Sequence, residues 1–186
     1  MTAGQRRLFI ALELPGAARS ALAGWAAEAV GAIAGVRLVA EADLHVTLAF
    51  LGWRPADDVP AAERIVAGLG GRAPELAPSG TAWLPARRPR LAAVDLDDLA
   101  GAAGALHERA AAAVSEHLGV APDPRPFRPH VTVARLGRSG RPRRGPALAP
   151  PDLPAFRAPA VSLFESHLEP GGARYGLLAR RALDGA

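Results

Sequence analysis

Apolar positions along this chain fall into two rhythms, one of strands and one of helices. Residues 7–14 (RLFIALEL) form a short apolar run that Pro15 closes, the pattern of a buried β-strand. From Pro15, Leu22, Trp25, Ala29 and Ile33 recur at three- and four-residue steps, which predicts a helix reaching Ile33. Strands are predicted over 36–40 and 45–51 (HVTLAFL), the second closed by Gly52, and a shorter helix over 60–69 turns Ile65, Val66 and Leu69 inward. Strands follow at 79–84 and 91–96. Asp97 and Asp98 then read as the acidic start of a long alanine-rich helix ending near Leu118, because carboxylates favour the positive helix terminus. Pro122, Pro124, Pro126 and Pro129 lead into a strand at 130–136 (HVTVARL). Residues 137–159, rich in Gly, Pro and Arg, read as one long loop. Strands at 160–168 and 174–181 close the chain as a hairpin turned by Glu169-Pro170-Gly171-Gly172. Eight or nine strands and three helices predict an α+β fold, in a single domain over 1–186.

Composition narrows the function classes. The 186 residues include 43 alanines, but the 49 larger apolar side chains suffice for one core. Cysteine is absent, which excludes disulfides, thiolate metal sites and a cysteine nucleophile. No apolar run is long enough for a membrane span, and MTAGQRRLFIALELP lacks the pattern of a signal peptide, so a soluble, cytoplasmic domain is expected. All 22 basic residues are arginine, and the net charge is +4. That balance suits a phosphate-bearing partner without requiring one. Arg87-Arg88-Pro89-Arg90 and the stretch Arg138 to Arg144 are read first as solvated surface.

One repetition carries chemistry. Strand, helix and strand with His-Val-Thr occur twice, at His45-Val46-Thr47-Leu48 and at His130-Val131-Thr132-Val133. The chain holds only five histidines and four threonines, yet two histidines each have threonine two positions on. Side chains alternate along a strand, so each motif shows an imidazole and a hydroxyl on one face and apolar residues on the other. Two such strands meeting in a cleft would aim two imidazoles and two hydroxyls at one point. Opening a cyclic phosphodiester with water needs that set: a base for the water, an acid for the departing oxygen, and donors for the phosphoryl oxygens. Imidazole is the side chain that can serve in either protonation state near pH 7. Arg135 could add a charge-assisted contact. It lies five positions after His130, on the opposite face by strict alternation, so a strand end, a bulge or its reach would have to bring it in. The plain alternative is two ordinary strands whose histidines and threonines satisfy one another.

These segments resemble the two-histidine phosphoesterases, specifically the RNA 2′,3′-cyclic phosphodiesterase family, also called 2′-5′ RNA ligases. The likeness covers RLFIALELP (7–15), GVRLVAEADLHVTLAFLG (35–52), ARRPRLAAV (86–94), RPFRPHVTVAR (125–135) and SLFESHLEPGGARYGLL (162–178). The resemblance implies two pseudo-symmetric lobes of antiparallel sheet with helices outside and a central cleft. One lobe would hold both termini and the other the middle segment. It further implies metal-independent hydrolysis of an RNA terminal 2′,3′-cyclic phosphate to a 2′-phosphate, with no cofactor. His45 would protonate the departing 3′ oxygen and His130 would activate water, although the near-symmetry makes the two interchangeable on sequence. Thr47, Thr132 and Arg135 would bind the phosphate. RNA ends or cyclic nucleotides are the implied partners of a monomer that meets no membrane. The rival readings are 2′-5′ ligation or another cyclic phosphate in the same cleft, and a nucleotide- or RNA-binding module without turnover.

Two departures from the family pattern, Trp53 and Ala92-Ala93, bear on substrate preference rather than chemistry. Trp53, Phe127 and Tyr175 are candidates for stacking on a base, read first as packing residues. The stretch 138–144 could hold an RNA backbone. His107, His117 and His167 read as surface or packing residues, and no cluster at ligand spacing suggests a metal.

Overall fold

The computed structural model describes residues 4–137, 145–169 and 172–186. In chain order the elements are β1 (Gln5–Glu13), α1 (Gly16–Val30), β2 (Val36–Leu38), β3 (His45–Pro55), α2 (Val59–Gly68), β4 (Glu75–Leu84) and β5 (Leu91–Asp98). After these come α3 (Ala102–Leu118), β6 (His130–Leu136), β7 (Phe156–Arg157), β8 (Ala160–Glu169) and β9 (Gly172–Ala182). The fold is α+β, built on one curled antiparallel sheet in the order β7-β4-β5-β6-β3-β1-β8-β9, with β2 added on β6.

The middle of that order is a seam. β3 and β6 pair only through Val46 and Val131, the apolar residues inside the two His-Val-Thr motifs. On one side lie β1, β8 and β9, and on the other β5, β4 and β7. This gives the two lobes, one carrying the N- and C-terminal strands and one the middle of the chain. The lobes are also stitched by their helices. α1, which leaves β1, packs against β6, and α3, which leaves β5, packs against β3.

Helix α1 buries Ala18, Leu22, Ala26 and Val30 at four-residue steps. Of the predicted stripe of Leu22, Trp25, Ala29 and Ile33, Leu22 lies in that buried row and the other three are only partly buried beside it. Small alanines let the helix backbone come close to the sheet, so the narrow alanine face wins over the wider tryptophan one. Helix α3 buries Ala103, Leu106, Ala110, Val114 and Leu118 and ends at Gly119, whose φ of 64° is the left-handed cap that glycine adopts most readily.

Several boundaries differ from the sequence reading. Asp97 and Asp98 close β5 instead of opening α3, because Gly101, at φ 70°, makes the turn into the helix. Asp98 still serves the helix start: its Oδ2 accepts the Gly104 N–H at 2.9 Å. Strand 36–40 stops at Leu38. Strand 79–84 begins at Glu75, with a bulge between Pro78 and Gly80 that absorbs the proline. The stretch 137–159 is not simply a loop. It contains β7, paired to β4, and it docks on β4 where Thr81 Oγ1 and Trp83 Nε1 donate to the carbonyls of Leu148 and Pro146. The arginine stretch 138–144 and the turn residues Pro170 and Gly171 lie outside the described residues.

Candidate active site

His45 and His130 are each the first residue of a strand at the seam, and the two surroundings repeat one another. Across β3, the β1 partners of His45, Val46 and Thr47 are Glu13, Leu12 and Ala11. Across β6, the β5 partners of His130, Val131 and Thr132 are Asp95, Val94 and Ala93. Both valines are fully buried, which fixes the imidazole and hydroxyl of each motif on the opposite face.

Each imidazole is aimed by its own chain two residues back. His45 Nδ1 lies 2.7 Å from the Asp43 carbonyl, and His130 Nδ1 lies 2.8 Å from the Arg128 carbonyl. A carbonyl only accepts, so Nδ1 carries hydrogen in both rings and Nε2 is left for chemistry. At His45 that nitrogen meets Thr47 Oγ1 at 3.1 Å. The side chains of the two carbonyl residues are themselves tied down. Asp43 accepts the Tyr175 N–H and lies 3.9 Å from Arg174, while Arg128 donates to Asp95 Oδ2 at 2.5 Å. Glu13, opposite His45, is held by Ser162 Oγ at 2.5 Å and by Arg180 Nε at 3.1 Å.

Both motifs are followed by a β-bulge. In β3 the register shifts between Thr47 and Ala49, and in β6 between Thr132 and Ala134. The extra residue reverses the alternation, so Val133 and Ala134 are both buried while Arg135 is exposed on the side of His130 and Thr132. This is how Arg135 reaches the cleft against strict alternation. Its guanidinium is close enough to His45 to disfavour a second positive charge there. Phe50 is the matching residue after the first bulge and stands 63% exposed.

The imidazole of His45 packs against Phe9, at 4.9 Å between ring centroids, and edge-on against Tyr175, at 5.2 Å. Burial is the main reason that its pKa is pulled down to about 4, with smaller contributions from Arg135 and His130 in the same direction. The Asp43 carbonyl opposes this without overcoming it. His45 is therefore neutral at pH 7 in the free protein. Burial also raises the Asp43 carboxyl, against the pull of Arg174 and the Tyr175 N–H.

A groove of about 700 Å³ opens from Thr47 and His130 and runs along Phe50, α3 and the proline-rich segment 120–128. His107 lies in it, stacked on Phe127 at 4.3 Å and 9°. Of the other aromatic candidates, Tyr175 supports His45, and Trp53 sits farther along β3 opposite Arg7. His117 faces a separate groove with Arg64 and Arg109, and His167 is exposed on β8, 3.7 Å from Glu165. Among the described residues no group of three or more His, Asp or Glu is arranged to hold a metal ion. Sequence reasoning missed Asp43 and Arg128, which act through backbone carbonyls two residues before each histidine, and Glu13 and Asp95, which are placed by pairing register.

Comparison with known proteins shows the family and agrees with the fold. The family model for LigT-like phosphoesterases matches residues 12–91 and 97–175, and the chain belongs to that family. An RNA 2′,3′-cyclic phosphodiesterase of Geobacillus stearothermophilus is 32% identical over 168 residues. That match takes in 87% of this chain but 52% of the relative, so the chain spans about half the relative's length. Among solved structures, TT0787 of Thermus thermophilus superposes with a TM-score of 0.80 at 29% identity, covering 96% of this chain and 98% of that one. E. coli LigT complexed with 3′-AMP gives 0.76 at 26% identity, with coverage of 96% and 98%. No helix among the described residues is long and apolar enough to cross a membrane.

Proposed function

We propose that this protein is an RNA 2′,3′-cyclic phosphodiesterase that opens the terminal cyclic phosphate to a 2′-phosphate by paired histidine acid–base catalysis, without a metal. The observation that carries the reading is the duplicated site: two His-Val-Thr strands side by side, each imidazole held through Nδ1, which leaves Nε2 as the reactive nitrogen, at His45 beside the Thr47 hydroxyl. The phosphate would lie between the two motifs, its oxygens taken by the Thr47 and Thr132 hydroxyls and by Arg135, which meet the charge that builds in the transition state. Water attacks phosphorus as His130 Nε2 removes its proton. The bond from phosphorus to the 3′ oxygen breaks as His45 Nε2 delivers a proton to that oxygen. The two protons balance, and exchange with solvent resets the pair.

His45 can act as the acid only after gaining a proton that the free protein does not hold. The phosphodiester anion supplies the reason: a negative charge beside the imidazole favours its charged form. Substrate binding is therefore coupled to proton uptake at His45. Ring NMR signals should show its pKa rising from about 4 toward neutrality when phosphate is bound. A value fixed near 4 would make His45 the base and His130 the acid.

The function itself is tested by product identity. A short RNA ending in a 2′,3′-cyclic phosphate should yield a 2′-phosphate alone. A 3′-phosphate, or no product, contradicts the proposal. Joined strands given a 5′-hydroxyl RNA would favour the ligase reading.

A further inference from the structure

A second groove, of about 610 Å³, runs between α2 and α3. It lies on the other flank of α3 from the histidine motifs: His107, Ala111 and Val114 line the first groove, whereas Arg109, Ala113 and His117 line this one. Its floor is apolar, made by Ile65 and Leu69 of α2 and Ala113 of α3, and its rim carries the exposed side chains of Arg64, Arg109 and His117. No acidic side chain among the described residues lines it. Beside one end, two positive charges are brought together. Arg109 Nη2 donates to the Gly70 carbonyl at 2.8 Å. The guanidinium of Arg181, from β9, comes within 3.1 Å of the point where a Gly70 side chain would begin. Both guanidiniums thus rest on one residue that has no side chain to separate them, and like charges at short range repel. Nothing offsets this from within the chain. Among the described residues Arg64, Arg109, Arg181 and His117 form no ion pair, whereas Arg54, Arg128 and Arg180 each have a carboxylate partner. The bond to Gly70 uses one N–H of Arg109 and leaves four able to donate.

We propose that the groove between α2 and α3 is a binding site for an oligophosphate, an anion of two or more linked phosphate groups, separate from the catalytic cleft. A guanidinium presents paired N–H donors that match phosphate oxygens, so Arg64 and Arg109 grip the anion from the two helices. His117 lies two turns along α3 from Arg109, about 12 Å, and meets the far end of a ligand longer than a single phosphate. Arg181 adds charge at the glycine end. Several linked phosphates answer the crowding of positive charge at Gly70, which a neutral ligand does not. The volume is in the range of a small-molecule site. The inference stands apart from the reaction proposed above, since none of these residues belongs to the two motifs.

Histidine ring signals in NMR test this on the full chain, because His117 reports this groove and His130 reports the cleft. Inorganic triphosphate, inorganic phosphate and a short RNA with a 3′-hydroxyl end are titrated at physiological ionic strength, where loose attraction to surface charge is screened. Triphosphate should move the His117 signals at about tenfold or more lower concentration than inorganic phosphate, the scale of one added hydrogen bond to a charged group. Arg64→Gln and Arg109→Gln should each raise that concentration about tenfold and leave the response of His130 where it was. Arg109→Gln also disturbs the bond to Gly70, so Arg64→Gln, which breaks no hydrogen bond among the described residues, separates a lost ligand contact from a shifted helix pair. A His117 response to triphosphate alone assigns a free oligophosphate; a response to the RNA as well assigns the successive phosphates of a strand. His117 signals that stay still while His130 responds overturn the site. So does a triphosphate response that survives both substitutions, or one no stronger than that to inorganic phosphate. The result is independent of turnover: failure to hydrolyse cyclic phosphate would overturn the proposed function and leave this site standing.

Discussion

Replacing His45 with asparagine should change how the fold responds to acid. Burial holds the imidazole near pKa 4 against an ordinary 6.5. In the unfolded chain it takes up a proton around pH 6.5, and in the folded chain only around pH 4. Stability is therefore full above pH 6.5, falls as the pH drops toward 4, and levels off once both states are protonated. At 1.36 kcal/mol per pKa unit, the whole window is worth about 3 kcal/mol, and about 2 to 3 kcal/mol of it is lost by pH 4.5. Urea unfolding at pH 7.5, 6, 5 and 4.5 reads this for wild type and for His45→Asn. Other titrating groups are common to both proteins and largely cancel in the difference. The raised Asp43 carboxyl is one, and it works in the opposite direction because it favours the folded state as acid is added. Wild type should lose about 2 to 3 kcal/mol relative to His45→Asn across this series. A difference constant to within about 0.5 kcal/mol would show that the site does not oppose the charge, and would remove the ground for substrate-coupled protonation.

Removing the guanidinium beside His45, as Arg135→Met, should raise the pKa of that imidazole, visible in its ring NMR signals; an unchanged titration would place Arg135 away from the cleft. Asp95→Asn should free Arg128, whose carbonyl aims His130, and lower kcat by about tenfold, with about 1 kcal/mol or less lost from stability because the pair is half exposed. Kinetics and urea unfolding on the same samples separate those effects, and unchanged kcat refutes the positioning role. In the core, Leu163→Ala should cost about 2 to 5 kcal/mol in urea unfolding, since the side chain is fully buried in β8; a loss below about 1 kcal/mol would contradict the packing.

The histidine motifs were legible because the alternation of His-Val-Thr is local: each valine is buried by the pattern that exposes its neighbours. The reach of Arg135 was not legible, because it depends on a bulge at Val133 that no glycine or proline marks. The bulge exists only as a mismatch between β5 and β6. The same applies to Glu13 and Asp95, which gain meaning from standing opposite the histidines. Asp97 and Asp98 misled because an acidic pair before an alanine-rich run looks like a helix start, whereas the turn is made three residues later by Gly101. β7 is two residues long and borrows its order from β4, so periodicity had nothing to detect. His107 reads as an ordinary helix position until β3 and the segment before β6 are folded against it.

The central claim is that two imidazoles share one reaction. The direct measurement is turnover of a short RNA bearing a 2′,3′-cyclic phosphate, with chelator present, by wild type, His45→Ala, His130→Ala and the double variant. Wild type should be active, and each single change should lower kcat by about 10²- to 10⁴-fold. The double variant should fall by much less than the product of the two losses, because the residues act on the same step. Activity that survives both substitutions, or that chelator abolishes in wild type, would contradict the account.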